Sequence, residues 1–237
     1  MIFIKLDSRL LTDGPFSMDW KATARVCREV GAVKEDMVVS HGSHNFGLHV
    51  IQEYGATPEG FVKAKETTLK LSMYVLSSLI AAGVPAVAFP PSAFMFADNG
   101  EIKQILVDPL REALGRFVPL VHGDAIVDST TGYTFFSSGE ILGELAKYIK
   151  PRKVLVATDL GPQAKFEPNT AINDSNFRDL SGKLGIEGRR LEGWGRLSAD
   201  CGCEVRVFDG RKEGGLAEAL EAKAGLAINI EDPDSLN

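Results

Sequence analysis

From one end of the 237 residues to the other, short β-branched runs alternate with longer stretches whose apolar residues recur at helical spacing. This alternation constrains the fold most, because a strand, a helical crossover and a further strand close as a parallel sheet covered by helices. Ile2 to Leu6 predicts the first strand, and Asp36 to Ser40 predicts another that ends at His41-Gly42. Between them Ala22, Val26 and Val30 mark one face of a helix that begins near Trp20. A helix should follow Gly42. Thr67 to Ala82 reads as helix stopped by Gly83, and Val84 to Phe89 as a buried strand. Phe117 to Val121 is a strand that delivers His122-Gly123-Asp124 at its carboxyl end, where open α/β sheets place their ligands. Ser129-Thr130-Thr131-Gly132 turns a hairpin between Ala125 to Val127 and Tyr133 to Phe136, and Ser137-Ser138-Gly139-Glu140 opens a helix over Ile141 to Ile149. Lys153 to Thr158 is a strand ending at Asp159, and the polar stretch Gln163 to Gly188 predicts a long irregular lobe. A helix near Arg190 to Cys201, a strand Glu204 to Phe208, a short helix Gly215 to Leu220 and a strand near Leu226 to Ile230 complete the chain. The fold class expected is α/β, a three-layer α/β/α sandwich with a mainly parallel sheet. One continuous sheet would join two halves, residues 1–150 and 151–237.

Charge and motif content remove several functions. Lys+Arg 26 against Asp+Glu 32 gives a net charge of -6, which offers no long-range attraction to a polyanion, so nucleic acid is not expected as a partner. The most apolar stretch, Val75 to Ala97, is interrupted by Gly83, Pro85, Pro90 and Pro91, and no membrane association is expected. The amino terminus turns polar by Asp7, unlike a signal peptide. Cys27, Cys201 and Cys203 are too few for a disulfide framework, and Cys201-Gly202-Cys203 lacks the second ligand pair of a structural zinc site. A reduced, cytoplasmic setting is expected, with the thiols serving as small apolar groups. No Gly-x-x-x-x-Gly-Lys-Ser/Thr run occurs, which excludes a P-loop; no Gly-x-Ser-x-Gly elbow and no His-Glu-x-x-His spacing occur either. His41, His44 and His49 come from different local elements, so no metal cluster is assigned to them.

Candidate chemistry collects at strand ends. In chain order these are Lys5-Leu6-Asp7-Ser8-Arg9, the segment His41 to Leu48, Gly83 to Val87, Val118 to Asp124, Ser138-Gly139-Glu140 and Thr158-Asp159-Leu160-Gly161. Their order and spacing resemble the amino acid kinase superfamily, and most closely its isopentenyl phosphate kinase branch. That branch carries a strand-borne Lys before Gly-Gly-Ser, then His-Gly-Gly-Gly-Ser-Phe-Gly-His, Gly-Val-Pro-Ala-Val, Pro-Val-…-Gly-Asp, a Ser-Gly-Asp-Asp-type helix start and Thr-Asp-x-Asp-Gly. Downstream, Gly202 to Gly210 is similar to the family's Gly-x-Glu-Val-x-Ile-x-Asn-Gly. The resemblance spans essentially the whole chain.

The resemblance implies ATP-dependent phosphorylation of a small phosphorylated or carboxylated acceptor, isopentenyl phosphate-like, with Mg²⁺, in a homodimer. Fixed cations and exposed backbone N–H groups suit phosphoryl transfer, where catalysis is positioning plus charge neutralisation. Lys5 would lie against the ATP phosphates, with Ser8, Arg9, Thr158, Asp159, Gly161 and Arg190 also on the nucleotide. Gly42, Ser43, His44, Asn45, Gly47 and Gly139 would hold the acceptor. Asp124 would orient the lysines or Mg²⁺, or else merely cap a turn. The second catalytic cation would be Arg189 or Arg190, whereas an ungapped register puts Glu187 there. This sequence also departs from the branch. Asp7, Ser8 and Arg9 replace Gly-Gly-Ser, Ser43 and His44 replace two glycines, and Leu48 stands where the branch has its phosphate-binding His. Arg9 could restore a phosphate contact, while Asp7 would repel phosphate unless a metal ion lay between them. A second expectation follows: a non-catalytic nucleotide- or anion-binding sensor or storage member of the same fold.

Overall fold

The Val- and Ile-rich runs that predict strands are buried on both faces, as the interior strands of a parallel sheet must be. The computed structural model describes residues 1–55, 57–159, 171–174 and 188–231, with the side chains of 188–190 excepted. Its strands are β1 (Ile2–Leu6), β2 (Thr12–Gly14), β3 (Ser17–Met18), β4 (Met37–His41), β5 (Ala86–Ala88), β6 (Met95–Asp98), β7 (Glu101–Ile105), β8 (Val118–His122), β9 (Asp124–Asp128), β10 (Gly132–Phe136), β11 (Lys153–Thr158), β12 (Ala171–Asn173), β13 (Glu204–Asp209) and β14 (Leu226–Asn229). The main sheet runs in the order β12-β14-β13-β11-β1-β4-β8-β5. Among the described residues its β13–β14 pair is antiparallel and the other pairs are parallel.

Strand alternation divides the core in two. Ile2, Ile4 and Leu6 face the helices Trp20–Ala32 and Pro58–Ala81 through Val26, Val30, Leu71 and Val75. Phe3, between them, faces Ser138–Ile149 and Gly188–Cys201 through Ile141, Leu145, Trp194 and Leu197. Helices therefore cover both faces, which makes the expected three layers. Cys27 is buried in the first core, and burial pushes its thiol up to about 12.

Several elements differ from the sequence expectation. The long helix starts at Pro58, not Thr67, because Thr57 accepts the Gly60 N–H at 3.0 Å as its cap and Pro58 supplies the fixed φ of a first turn. The hairpin β6–β7 was not expected; its two-residue loop is Asn99-Gly100, at φ 52° and 79°, the left-handed pair that such turns need. Ala171–Asn173 lies inside the stretch expected to be irregular, yet forms a strand parallel to β14. The buried strand after the long helix is shortened to Ala86–Ala88. The remainder of the expected lobe lies outside the described residues.

Candidate active site

β1, β4, β8, β11 and β13 run parallel, so Asp7, Gly42, Gly123, Asp159 and Gly210 leave the sheet at one edge. Backbone bonds continue across these exits, from Gly42 N to Leu6 O at 3.1 Å and from Gly123 N to His41 O at 3.2 Å. A cleft of about 900 Å³ opens there. Lys5, Asp7, Ser8, Arg9, Gly42, Ser43, His44 and Gly139, all singled out by the sequence, line it. Lys5 points to the Phe3 side of the sheet, toward the start of the helix Ser138–Ile149 and the Trp194 turn of Gly188–Cys201.

The helix start is fixed locally. Ser137 Oγ accepts the Glu140 N–H at 3.2 Å while Glu140 Oε2 accepts the Ser137 N–H at 2.7 Å, a reciprocal capping box. The Ser138 and Gly139 N–H groups belong to the first turn of this helix, and with Lys5 they favour an anion at this end of the cleft. Gly123 lets the next strand exit pass close by: a Cβ there would lie 2.9 Å from Ser138 N.

After β1 the chain forms a one-turn helix, Ser8–Leu11. Asp7 caps it, accepting the Arg9 N–H at 3.2 Å and the Thr158 hydroxyl at 2.8 Å. After β4 the chain forms a π turn, His44–Leu48. Ser8 Oγ accepts the His44 N–H at 3.2 Å and lies 3.2 Å from where a Gly42 Cβ would be, so the two loops touch.

The other predicted residues sit beside the cleft rather than in its lining. Asn45 donates to Thr12 Oγ1 at 2.6 Å, and Gly47 packs under the long helix, where a Cβ would lie 2.0 Å from Thr68 Oγ1. Thr158 donates its hydroxyl to Asp7, which lines the cleft. Asp159 accepts from Arg211 Nε at 2.8 Å, and Arg211 also binds Asp19 at 3.0 Å. Asp124 is wholly buried: it accepts from Lys65 Nζ at 2.6 Å, from the Ser92 N–H at 3.0 Å and from the Ala125 N–H at 2.9 Å. It ties the long helix to β9. Arg189 and Arg190 begin the helix Gly188–Cys201, but their side chains lie outside the described residues, as do Gly161 and Glu187. His49 turns away from the cleft onto Phe16, at 5.3 Å between ring centroids.

Sequence reasoning missed the apolar wall. Leu48, Phe135, Trp194 and Leu197 line one side of the cleft, with Gln52 and Gly193. The sequence marks Leu48 only as standing where the branch has a histidine, and nothing local in it marks the other three as neighbours. The site is thus an anion-favouring strand end joined to an apolar wall, at the edge where parallel α/β sheets bind ligands.

An anion-favouring strand end beside an apolar wall makes a small-molecule binding site, and the chain belongs to the amino acid kinase family, whose model matches residues 1–161. An isopentenyl phosphate kinase of Methanothermobacter thermautotrophicus is 28% identical over 204 residues, covering 78% of this chain and 76% of that protein. Another, from Methanocaldococcus jannaschii, is 23% identical over 93% of this chain and 95% of its own length. A crystallographic isopentenyl phosphate kinase structure superposes with a TM-score of 0.79 at 24% identity, over 97% of this chain and 100% of that one. That likeness shows the shared fold.

Proposed function

We propose that this protein is an ATP-dependent kinase that phosphorylates a small acceptor with an anionic head and an apolar tail, isopentenyl phosphate-like. The observation that carries this reading is the juxtaposition, in one cleft, of Lys5 with the first turn of Ser138–Ile149 and of both with the wall Leu48, Phe135, Trp194 and Leu197. The relatives named isopentenyl phosphate kinase support it. Lys5 and Arg9 neutralise the nucleotide phosphates, and Ser8, Thr158, Asp159, Gly161 and Arg190 complete the nucleotide side in residues 151–237 and the β1 turn. Gly42, Ser43, His44, Asn45, Gly47 and Gly139 shape the acceptor side in residues 1–150. Arg189 or Arg190 supplies the second cation. Asp124 acts at one remove, by holding Lys65 and the long helix in place.

Asp7 is the one carboxylate in the described lining of the cleft, where it accepts from the Arg9 N–H and the Thr158 hydroxyl. One carboxylate together with nucleotide phosphates suits Mg²⁺, which binds through few protein ligands. Asp7 would hold the ion, whose charge would offset that of the phosphates.

The same reading includes a homodimer and a cytoplasmic setting. Val62, Leu69, Met73 and Ile80 are exposed on the long helix at spacings of seven, four and seven, a heptad-like stripe that a second copy would cover. Light scattering should give twice the chain mass; a monomer at micromolar concentration counts against the pairing.

The deciding assay measures ADP release against a panel of phosphate and carboxylate acceptors, with ATP binding measured separately. Acceptor-dependent ADP release supports the kinase. ATP binding without turnover on any acceptor favours the sensor or storage reading, and no ATP binding at millimolar concentration removes the nucleotide reading altogether.

A further inference from the structure

His41 and His122 take no part in the chemistry proposed for the cleft, yet they end the strands that lead into it. They stand opposite one another in the β4–β8 register, with ring centroids 5.3 Å apart and planes inclined at 31°, both wholly buried. Each Nδ1 meets the carbonyl oxygen of the glycine that follows, at 2.9 Å for Gly42 and 3.1 Å for Gly123. A carbonyl oxygen only accepts, so Nδ1 carries the proton and Nε2 of the neutral ring is an acceptor. Burial, and then the neighbouring His122, hold His41 down to about 3; burial also lowers His122, against the opposing pull of the Asp124 carboxylate. Neither Nε2 has a hydrogen-bond partner among the described residues.

Two hydroxyls in the same layer share that condition. Thr68 and Ser72 lie one turn apart on the buried stripe of the long helix, and neither hydroxyl is bonded. Alternation along β4 and β8 puts His41 and His122 on the face of Val39 and Leu120, which join Leu71 and Val75 in one core. Mid-helix hydroxyls ordinarily turn back on their own carbonyls. Thr67 does so, onto Lys63 O and Ala64 O, and Ser78 does so onto Tyr74 O. Thr68 and Ser72 do not. Two buried acceptors thus share a layer with two buried donors, and burying such groups unpaired is costly.

We propose that His41 Nε2, His122 Nε2, Thr68 Oγ1 and Ser72 Oγ form a buried binding site for one water molecule, which ties both glycine turns of the cleft to the long helix. One water matches this set in full. Its two O–H groups donate to the two imidazole nitrogens, and its two lone pairs accept from the two hydroxyls. Thr68 also abuts Gly47, so the site reaches the acceptor loop. In this arrangement His41, His122 and Thr68 are positioning residues.

Two measurements test it. A high-resolution crystal structure should show one ordered water within about 2.7–3.2 Å of both Nε2 atoms; a dry layer, or hydroxyls bonded directly to the rings, overturns the site. In solution, ¹⁵N spectra of the imidazoles should show both rings neutral with the proton on Nδ1. Thr68→Val combined with Ser72→Ala should shift both Nε2 resonances. If the double variant fails to fold, the pair Thr68→Val and Thr68→Ser replaces it, the serine restoring the native spectrum. A proton on either Nε2, or resonances that ignore the loss of the hydroxyls, rejects the proposal. These readouts need no substrate, so they stand apart from the kinase reading.

Discussion

The turn after β1 and the turn after β4 leave neighbouring strands at the same edge of the sheet, but within itself one is held chiefly by side chains and the other chiefly by backbone. In the first, Asp7 caps its own short helix and binds Thr158, and Ser8 reaches across to the His44 N–H. In the second, Gly42 and Gly47 carry no side chain, and the segment is organised by Phe46 N and Leu48 N bonding Ser43 O at 2.9 and 3.2 Å. Glycine stands where another element presses close: Ser8 against Gly42, Thr68 against Gly47. The β1 turn carries Asp7, Ser8 and Arg9 instead, whose side chains fill the space and bring charges of both signs to the cleft. The comparison separates two tasks. The β1 turn sets the electrostatics of the cleft, and the β4 turn sets its shape.

The largest effect should come from the charge on the β1 side. In the proposed kinase, Lys5→Ala removes a cation that neutralises phosphoryl charge, and losses of that kind typically cost about 100- to 1,000-fold in kcat. Steady-state kinetics with the best acceptor checks this. An unchanged kcat removes Lys5 from the chemistry and leaves the β1 turn with no electrostatic task.

On the β4 side the expected damage is to shape. Gly47→Ala places a Cβ 2.0 Å from Thr68 Oγ1, with Ala64 O at 3.3 Å behind it, so helix and loop must part. Overpacking of this sort costs about 1–3 kcal/mol, read by denaturant unfolding. A variant as stable as the native chain would show that the loop yields freely and that its shape is not fixed by this contact.

The seam between the turns should matter less. Ser8→Ala deletes the acceptor of the His44 N–H, an effect of about 0.5–1.5 kcal/mol. Because it joins the two loops, acceptor KM should rise together with the stability loss. A stability loss with no change in KM would mean that the loops keep their places without the bond.

How much of this was readable in advance follows the range of each interaction. β1, β11 and the hairpin β9–β10 stood in the sequence because strand periodicity and turn residues are local signals, and Ser137 with Glu140 announced its helix by spacing alone. The hairpin β6–β7 was equally announced by Asn99-Gly100, but Glu101 to Ile105 is largely exposed and its alternation is too weak to stand out. The long helix was read eight or nine residues too short because its first turns, around Lys63 to Glu66, are polar. What no pattern could supply was partnership at a distance. Lys65 meets Asp124 across 59 residues, and Trp194 reaches the wall of Leu48 from the far half of the chain. Asp124, expected on the phosphate side, bonds the half-buried Lys65 and two backbone N–H groups, contacts that no local pattern announces.

The smallest effect should also be the most discriminating, because its sign depends on the metal. Asp7→Asn keeps a side-chain oxygen for the Arg9 N–H, and asparagine caps a helix about as well as aspartate, so unfolding should change little. What changes is one negative charge beside the cleft. Without divalent metal that charge opposes the nucleotide phosphates, at about 1 kcal/mol for unit charges roughly 4 Å apart in water, so the variant should bind ATP roughly fivefold tighter. In the proposed Mg²⁺ complex the carboxylate is a ligand, and with Mg²⁺ present the variant should bind MgATP more weakly and need more metal for half-saturation. Titration calorimetry in chelator and in excess Mg²⁺ reads both signs. A shift of the same sign in both conditions would remove Asp7 from the metal, and no shift in either would place the phosphates out of its reach, leaving the β1 turn electrostatic through Lys5 and Arg9 alone.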